Sequence, residues 1–398
     1  MNREDFSMLK DDLIYVDNSA TSFKPKVVID SMNDYYNNYC SNAHRGDYSI
    51  SHKTDVIYED TRNVVKEFIN AADSQEIVFT SGATDGLNLI TNSFMKYYLK
   101  EGDEVLITKS EHASNVLPWY RLEEELGIVV KFIPLDNNHH VTNENVLKMI
   151  TKYTKVISLA YVTNTIGDVR DINKLGNICK ENNILFVVDA AQSIGHKKID
   201  VQKSKIDFLV ASAHKMCGPT GVGFMYAKKE LLKDFIPYKL GGGMNSDFTS
   251  KGNYGYNDLP NCLEAGTQNI AGVIGMNFAI KYISNIGLDK IHEHEVKLKN
   301  YLIDKIKTLD NIIIYNENND SGLILFNINN VFPQDTARYL DHYHICVRAG
   351  NHCAKMLKEE LIVKNTCRIS LYLYNTIEEM DKIYEVLKNS DRIFDIVI

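Results

Sequence analysis

The chain has 398 residues, of which 44% are hydrophobic and 24% are charged, and its formal net charge is −8. These values are typical of a soluble globular protein with room for one large domain and one smaller domain. The negative charge argues against nucleic acid or an anionic membrane as the main partner, and no apolar stretch approaches the roughly 18 residues of a membrane-spanning helix.

The N-terminus, Met1-Asn-Arg-Glu-Asp-Phe6, is charged and lacks the apolar core of a signal peptide. The chain contains seven irregularly spaced cysteines and no Cys-x-x-Cys pair, which is typical of reduced thiols. We therefore expect a cytoplasmic protein.

Strand-like apolar runs alternate with amphipathic stretches between about residues 75 and 230. Strands are predicted at 76–80, 104–108, 129–134, 155–161, 185–188, 208–211 and 222–226, and helices at 113–126, 142–150 and 173–182. Such alternation predicts an α/β fold, with a mostly parallel sheet and helices on both faces. Active sites in such sheets lie beyond the carboxyl ends of the strands.

The alternation weakens after Tyr226, and residues 241–260 are predicted to form a long loop or hairpin. Further helices are predicted at 272–284, 288–309 and 376–388, the last with a Thr376…Glu379 capping box, and short strands at 322–328, 345–348 and 367–371. We predict a large domain of residues 15–283 and a smaller α+β domain of residues 284–398, on which residues 1–14 pack.

The segment Ser81-Gly-Ala-Thr-Asp-Gly86 follows a predicted strand and opens a helix. Its backbone N–H groups and the Thr84 hydroxyl form an anion site suited to a phosphate. An ordinary helix start is the alternative, and a lysine able to form a Schiff base favours the phosphate.

Asp189 and Lys215 each end a strand-like run, so a carboxylate and an amine arrive at one edge of the sheet. This pair fits pyridoxal 5′-phosphate (PLP), because the lysine can form a Schiff base and the aspartate can keep the pyridine nitrogen protonated. Asp189 could instead only cap the next helix. Gln192 could reach the phenolic oxygen of PLP, and Ser212 and His214 could donate to its phosphate.

Two further polar residues follow strands at the same edge. His112 begins a predicted helix, and from there its ring could stack on the pyridine face. Asn164 follows the predicted strand 155–161. A helix-terminal histidine without a ligand is the alternative interpretation of His112.

Cys353 lies in a glycine-containing loop, Arg348-Ala-Gly-Asn-His-Cys353, after a short predicted strand. A nearby arginine or histidine would raise its thiolate fraction. Arg368, on the next predicted strand, is suited to bidentate capture of a carboxylate. The alternatives are a small core residue for Cys353 and a surface ion pair for Arg368.

A metal site is a further alternative for this region. His342, His344 and Cys346 would alternate on one face of a strand, with His352 close behind. No standard ligand spacing is present, and we predict no metal.

Together these motifs resemble the class V aminotransferase family, which has PLP fold type I, and more closely the SufS-like (group II) cysteine desulfurases. The matching stretches are Tyr15-Val-Asp-Asn-Ser-Ala20, Asn42-Ala-His44-Arg45-Gly46, Thr80-Ser-Gly-Ala-Thr84-Asp-Gly86, Glu111-His112 with Pro118-Trp119, Val188-Asp189-Ala-Ala-Gln192, Ser212-Ala-His214-Lys215 with Gly218-Pro-Thr-Gly221, Glu264-Ala-Gly-Thr267, Arg348-Ala-Gly-Asn-His-Cys353-Ala and Leu371-Tyr-Leu-Tyr-Asn-Thr376.

The resemblance implies a large PLP-binding domain and a role for each matching residue. Lys215 carries the cofactor, Asp189 pairs with the pyridine nitrogen, and His112 stacks on the ring and shuttles protons. Gln192 and Asn164 hold the phenolic oxygen. The phosphate is held by Ala83 (through its N–H), Thr84, Ser212, His214 and, across a homodimer interface, the partner subunit's Thr267.

The resemblance also implies L-cysteine as substrate, alanine as product and a role in iron–sulfur cluster assembly. Arg368, with Arg348 and Asn164, binds the substrate, and His44 and Arg45 line the substrate side. Cys353 is the nucleophile that takes up the sulfur as a persulfide. The sulfur then passes to an acceptor protein of the Suf type (E- or U-like) or to a scaffold.

The chain departs from the family pattern at Asn351 and Lys355, which flank the cysteine, at Ala113, and at Gln334, where relatives that use a U-type acceptor tend to have histidine. With these departures, the sequence does not decide which acceptor protein receives the sulfur. L-Selenocysteine is an alternative substrate. A selenocysteine lyase, another class V enzyme such as an aminotransferase, and a PLP-binding protein without turnover are the other functions to weigh.

Overall fold

The computed structural model describes residues 2–10 and 12–397, without the side chain of Val397. The strands are β1 Ile14–Tyr15, β2 Ile77–Thr80, β3 Glu104–Ile107, β4 Val129–Phe132, β5 Thr154–Ala160, β6 Leu185–Asp189, β7 Phe208–Ser212, β8 Gly223–Ala227, β9 Asn245–Phe248, β10 Tyr254–Tyr256, β11 Ile312–Ile314, β12 Leu323–Ile328, β13 Ile345–Cys346, β14 Arg348–Gly350 and β15 Thr366–Ser370.

The α-helices are α1 Lys26–Asn38, α2 Ser49–Phe68, α3 Ala83–Ile90, α4 Lys96–Tyr98, α5 Leu117–Leu126, α6 Asn143–Met149, α7 Ile172–Glu181, α8 Lys229–Leu232, α9 Ile270–Ile286, α10 Leu288–Ile306, α11 Pro333–His342, α12 Leu357–Leu361, α13 Ile377–Lys388 and α14 Ile393–Val397. Within the described residues, none of these helices is both long and apolar enough to cross a membrane.

The main sheet has seven strands in the order β2-β8-β7-β6-β5-β3-β4, and only β8 runs antiparallel to its neighbours. Its strands carry apolar residues on both faces because both faces are covered. Phe186 and Val188 of β6 pack into one core, and Val187 between them packs into the other. The predicted α/β class with a mostly parallel sheet is confirmed.

A second sheet, in the order β11-β12-β15-β14, is fully antiparallel. The N-terminal β1 pairs in parallel with β13, and the residue Asp17 that follows β1 forms a parallel bridge to Ser370 of β15. A separate apolar core underlies this sheet and includes Ile324, Phe326 and Ile369. The proposed division at 283/284 falls within α9, three residues before the Gly287 break between α9 and α10, and it stays a prediction.

Three predictions for single elements need correction. The predicted helix 113–126 is a short 3₁₀ turn followed by α5, because Val116, at φ −122°, interrupts the helical path before Pro118. The predicted strand 345–348 is two strands, since β13 pairs with β1 whereas β14 pairs with β15. His342 ends α11, so it cannot alternate with His344 and Cys346 on one strand.

Candidate active site

A cavity of about 220 Å³ opens at the carboxyl ends of β5, β6 and β7. It brings together most of the residues that the sequence predicted for cofactor and substrate. The residues that were predicted from the sequence and that line this cavity are Ala83, Thr84, His112, Asn164, Asp189, Gln192, Ser212, His214, Lys215, Arg348 and Arg368.

Asp189 and Lys215 reach the cavity from neighbouring parallel strands, β6 and the turn after β7. Burial raises the pKa of Asp189, although its Oδ1 accepts a hydrogen bond of 2.9 Å from the Ala191 N–H. Burial lowers the pKa of Lys215 to about 8, against the attraction of Asp189 and with help from the positive charges of Arg368 and Arg348. The amine is therefore far more often neutral than an exposed lysine at neutral pH.

The N-terminus of α3, where the sequence predicts a phosphate site, lines one end of the cavity. Gly82, at φ 145°, precedes the helix, and a side chain there would be strained and would lie 3.1 Å from Ser212 Oγ. The Ala83 N–H donates to Ser212 Oγ over 2.8 Å. Burial, with Lys215 and Lys24 nearby, lowers the pKa of His214 to about 4. A neutral His214 can both donate and accept hydrogen bonds here.

His112 is held as a neutral ring at the side of the cavity. Its Nδ1 accepts a hydrogen bond of 3.1 Å from the Ser114 N–H, so the ring proton lies on Nε2. Burial, followed by the positive charges of Lys215, Arg348 and Arg368, lowers its pKa to about 4. The ring is thus free of charge at physiological pH.

Several buried polar atoms around the cavity have no partner among the described residues. They include Asn164 Oδ1 and Arg368 Nε. Such atoms cost free energy unless a ligand or water satisfies them. An anion site at α3, a buried amine and a buried carboxylate complete a donor set that fits the phosphate, aldehyde and pyridine nitrogen of PLP.

Another part of the cavity is lined by two arginines that lie directly opposite each other in the β14–β15 register, Arg348 and Arg368. Like charges in such a pair repel, which favours an anion between them. Arg368 is fully buried, and its Nη1 donates to the Asn164 carbonyl over 2.7 Å. The sequence prediction of an amino-acid carboxylate site is consistent with this geometry.

The Cys353 thiol lies beside this pair, with its Sγ 3.8 Å from Arg348 Nη2. Its loop is strained, since His352 and Cys353 have φ values of 51° and 60°. Two hydrogen bonds hold the loop: the Ala113 N–H donates to the Cys353 carbonyl over 2.8 Å, and Asn164 Nδ2 donates to the His352 carbonyl over 2.6 Å.

Four predicted residues are not among the residues that line this cavity: Cys353, which lies beside it, and three that line other cavities. His44 and Arg45 line a different cavity, of about 300 Å³. His44 Nε2 lies 3.3 Å from Glu59 Oε1, and a hydrogen bond with this carboxylate raises the pKa of His44. Thr267 accepts a hydrogen bond of 3.3 Å from Asn42 Nδ2 and lines a third cavity, of about 170 Å³. Within one chain these last three residues do not meet Lys215.

The structure adds residues to which the sequence analysis gave no role. Asp17 pairs with Arg368, and the Ser19 carbonyl accepts from Gln192 Nε2 over 2.9 Å. Buried Arg170 pairs with Glu111, next to His112. Asp17 and Glu111 belong to the motifs quoted above, whereas the pairing of Arg170 with Glu111 carried no local signal because the two residues lie 59 positions apart.

Residues 14–383 match the sequence profile of the family Aminotransferase class-V. The chain belongs to this family. A probable cysteine desulfurase of Ureaplasma parvum is 43% identical over 379 residues, which cover 95% of this chain and 93% of that protein. A probable cysteine desulfurase of Halalkalibacterium halodurans is 39% identical over 382 residues, covering 96% of this chain and 94% of that protein.

A solved structure has nearly the same fold. The apo structure of a cysteine desulfurase from Thermococcus onnurineus NA1 superposes with a TM-score of 0.93 at 37% identity and covers 97% of this chain and 96% of that chain. The predicted membership of the class V aminotransferase family is confirmed.

Proposed function

We propose that this protein is a PLP-dependent cysteine desulfurase, which converts L-cysteine to L-alanine and takes the sulfur onto Cys353. One observation carries the proposal: a thiol lies beside a pair of arginines that line the same cavity as a lysine and an aspartate. The arginines suit an amino-acid carboxylate, and the thiol suits its sulfur.

The residues around the cavity would hold the cofactor in one orientation. Lys215 would bind its aldehyde, Asp189 its pyridine nitrogen and His112 its ring face, while Gln192 and Asn164 would hold its phenolic oxygen. Its phosphate would contact Ala83, Thr84, Ser212 and His214. When bound, PLP supplies an electron-withdrawing ring that stabilises negative charge at the substrate α-carbon.

The chain's own groups perform the remaining steps. Arg368 and Arg348 hold the carboxylate, and the Lys215 amine, with its lowered pKa, takes and returns the α-proton. The Cys353 thiolate attacks the substrate sulfur, so a sulfur–sulfur bond forms as the carbon–sulfur bond breaks. The electron pair of the broken bond stays on the β-carbon, which gains a proton to give alanine.

The protein would act as a homodimer in the cytoplasm. Thr267, His44 and Arg45 lie away from Lys215 of their own chain, which is expected if they complete the site of the partner subunit. All seven cysteines are free thiols, as in a reducing compartment. The persulfide would pass to a Suf-type acceptor protein (E- or U-like) or scaffold for iron–sulfur cluster assembly.

Mass spectrometry of the Cys353 peptide after addition of L-cysteine tests the reaction. We expect a gain of one sulfur atom at Cys353 and stoichiometric L-alanine. Replacement of Cys353 by alanine should abolish both products, whereas replacement of exposed Cys40 should change neither. Full alanine formation by the Cys353→Ala protein under reductant would overturn the persulfide mechanism.

A further inference from the structure

Among the described residues, the arginine pair has one carboxylate partner, Asp17. Asp17 Oδ1 lies 2.9 Å from Arg368 Nη2. In the described part of the chain, no carboxylate forms an ion pair with Arg348, whose Nη2 faces the Cys353 thiol instead. Two positive charges and one negative charge therefore give Arg348, Arg368 and Asp17 together a net charge of +1.

Asp17 also fixes the direction of the Arg368 side chain. Nη1 is held by the Asn164 carbonyl and Nη2 by Asp17, while the buried Nε has no partner in the described residues. Asp17 itself is held in place by a parallel bridge to Ser370, two residues beyond Arg368 on the same strand. The Nε–H therefore stays available for a ligand, together with the second N–H of Nη1 and of Nη2.

We propose that Asp17 is a positioning residue for the substrate carboxylate. Its carboxylate locks the Arg368 guanidinium and reduces the charge of the arginine pair to a value that one carboxylate neutralises. Because the Arg348 guanidinium then serves both the substrate and the Cys353 thiolate, Asp17 also limits the positive field that acts on Cys353. This inference rests on the proposed function in that the ligand is an amino acid.

Two substitutions of Asp17 separate its effect on the orientation of Arg368 from the effect of its negative charge. Asp17→Ala removes both the oxygen that orients Arg368 and the negative charge. We expect it to weaken binding of L-alanine about tenfold or more, because loss of the orienting hydrogen bond to a charged group outweighs the attraction gained from one less negative charge. Asp17→Asn keeps an oxygen that can accept from Arg368 Nη2, and binding should stay within about threefold of the wild type. Binding is followed in the holoenzyme by the visible absorption of the cofactor.

L-Alaninamide, which lacks the carboxylate, is the matched ligand. Asp17→Ala should leave the affinity for L-alaninamide unchanged. If the affinities for L-alanine and L-alaninamide fell equally, Asp17 would have a merely structural role and the proposal would be overturned. Asp12→Asn, an equal change of charge at an exposed site on the same segment, should alter neither affinity. A wild-type holoenzyme that fails to respond to either ligand would instead contradict the proposed function.

The charge effect has a separate measurement, alkylation of Cys353 by iodoacetamide, quantified by mass spectrometry. The charged and titratable groups around this thiol include Arg348, Arg368, Lys215, His112 and His352, and all remain in the variants. Asp17→Asn should speed alkylation about threefold or more at about pH 7, because the thiolate gains a stronger positive field. An unchanged rate would overturn this part of the proposal.

Discussion

Lys215 is surrounded by groups that oppose its protonation. Burial is the main cause, and the positive charges of Arg368 and Arg348 add to it, so the pKa of this lysine falls to about 8 despite the attraction of Asp189. Only the unprotonated amine can attack an aldehyde. The charge that prepares the cavity for a substrate carboxylate therefore also prepares the lysine for its cofactor.

The rate of PLP uptake by the cofactor-free protein should rise with pH and reach half its maximum near pH 8. Protonated Lys215 dominates below this pH, whereas an ordinary lysine would shift the midpoint to about pH 10.4. Stopped-flow absorbance of the forming cofactor–lysine bond measures the rate. Lys215→Ala is the control and should give no signal, and a wild-type midpoint above about pH 10 would contradict the expected pKa.

Residue types near strand ends could be predicted from the sequence, but their partners could not. Lys215 and Asp189 each follow an apolar run, and such a run is a local signal. The ion pair between Asp17 and Arg368 joins residues 351 positions apart, and no local pattern encodes it. The pairing of Arg348 with Arg368 likewise needed the register of β14 and β15.

At the scale of elements, α12 ends in a strained conformation. Ile362 follows this helix with φ 55° and ψ 35°, although it is a β-branched residue and 90% exposed. The left-handed conformation places Cβ too near the following carbonyl and costs roughly 1–2 kcal/mol. The side chain gains little from burial to offset this cost.

Ile362→Gly should raise the free energy of unfolding by about 1 kcal/mol, because glycine adopts this conformation without the Cβ penalty. Urea denaturation followed by circular dichroism measures the change. Ile362→Ala is the matched control, since it removes the exposed side chain but keeps Cβ, and it should gain much less. Equal stability of the two variants would contradict the assigned strain.

A buried ion pair joins α2, β2 and the segment before α9. Arg62 Nη1 donates to Glu264 Oε1 over 2.8 Å and to the Ile77 carbonyl over 2.7 Å. Glu264 also accepts from the Phe79 N–H over 2.7 Å. Both side chains are almost fully buried. Loss of one partner would leave the other charge buried without compensation.

Glu264→Ala should lower the free energy of unfolding by about 3–5 kcal/mol, the usual cost of breaking a buried pair. Glu59→Ala is the comparison, because Glu59 also pairs with Arg62 but is 44% exposed, and it should cost below about 1 kcal/mol. Urea titration gives both values. Similar losses in the two variants would show that burial does not decide the strength of this pair.

The elements themselves were predictable to the extent that their signals were local. The β6 and β7 runs are continuous and apolar, and the predicted hairpin in 241–260 is confirmed as β9–β10. The predicted helix 113–126 failed at Val116, because its amphipathic pattern continues across a break in the backbone path. The prediction of a single strand at 345–348 was wrong for a different reason, since this run forms two strands, β13 and β14, that pair with different partners.

At the scale of the molecule, the predicted site residues fall into two groups. One lines the Lys215 cavity, and the other, with His44, Arg45 and Thr267, lines cavities elsewhere on the chain. In a two-fold symmetric dimer, the second group of one chain can lie beside the Lys215 cavity of its partner. Each site would then draw on both subunits.

Mixing two inactive variants tests this arrangement. Lys215→Ala and Arg45→Ala chains, unfolded and refolded together in equal amounts, should recover about one quarter of wild-type activity, because half of the dimers are hybrids with one intact site. Lys215→Ala mixed with Asp189→Ala is the control and should recover nothing, since both defects lie on the same side of the interface. No recovery in the first mixture would contradict a shared site.

The hydrogen bond from the Ala113 N–H to the Cys353 carbonyl has a consequence for observing the enzyme at work. If the Cys353 loop leaves its place during the proposed transfer of sulfur to another protein, this bond has to break. A backbone amide exchanges its proton for deuterium only while its bond is open. The rate of deuterium uptake at the Ala113 amide therefore reports how often the Cys353 loop opens.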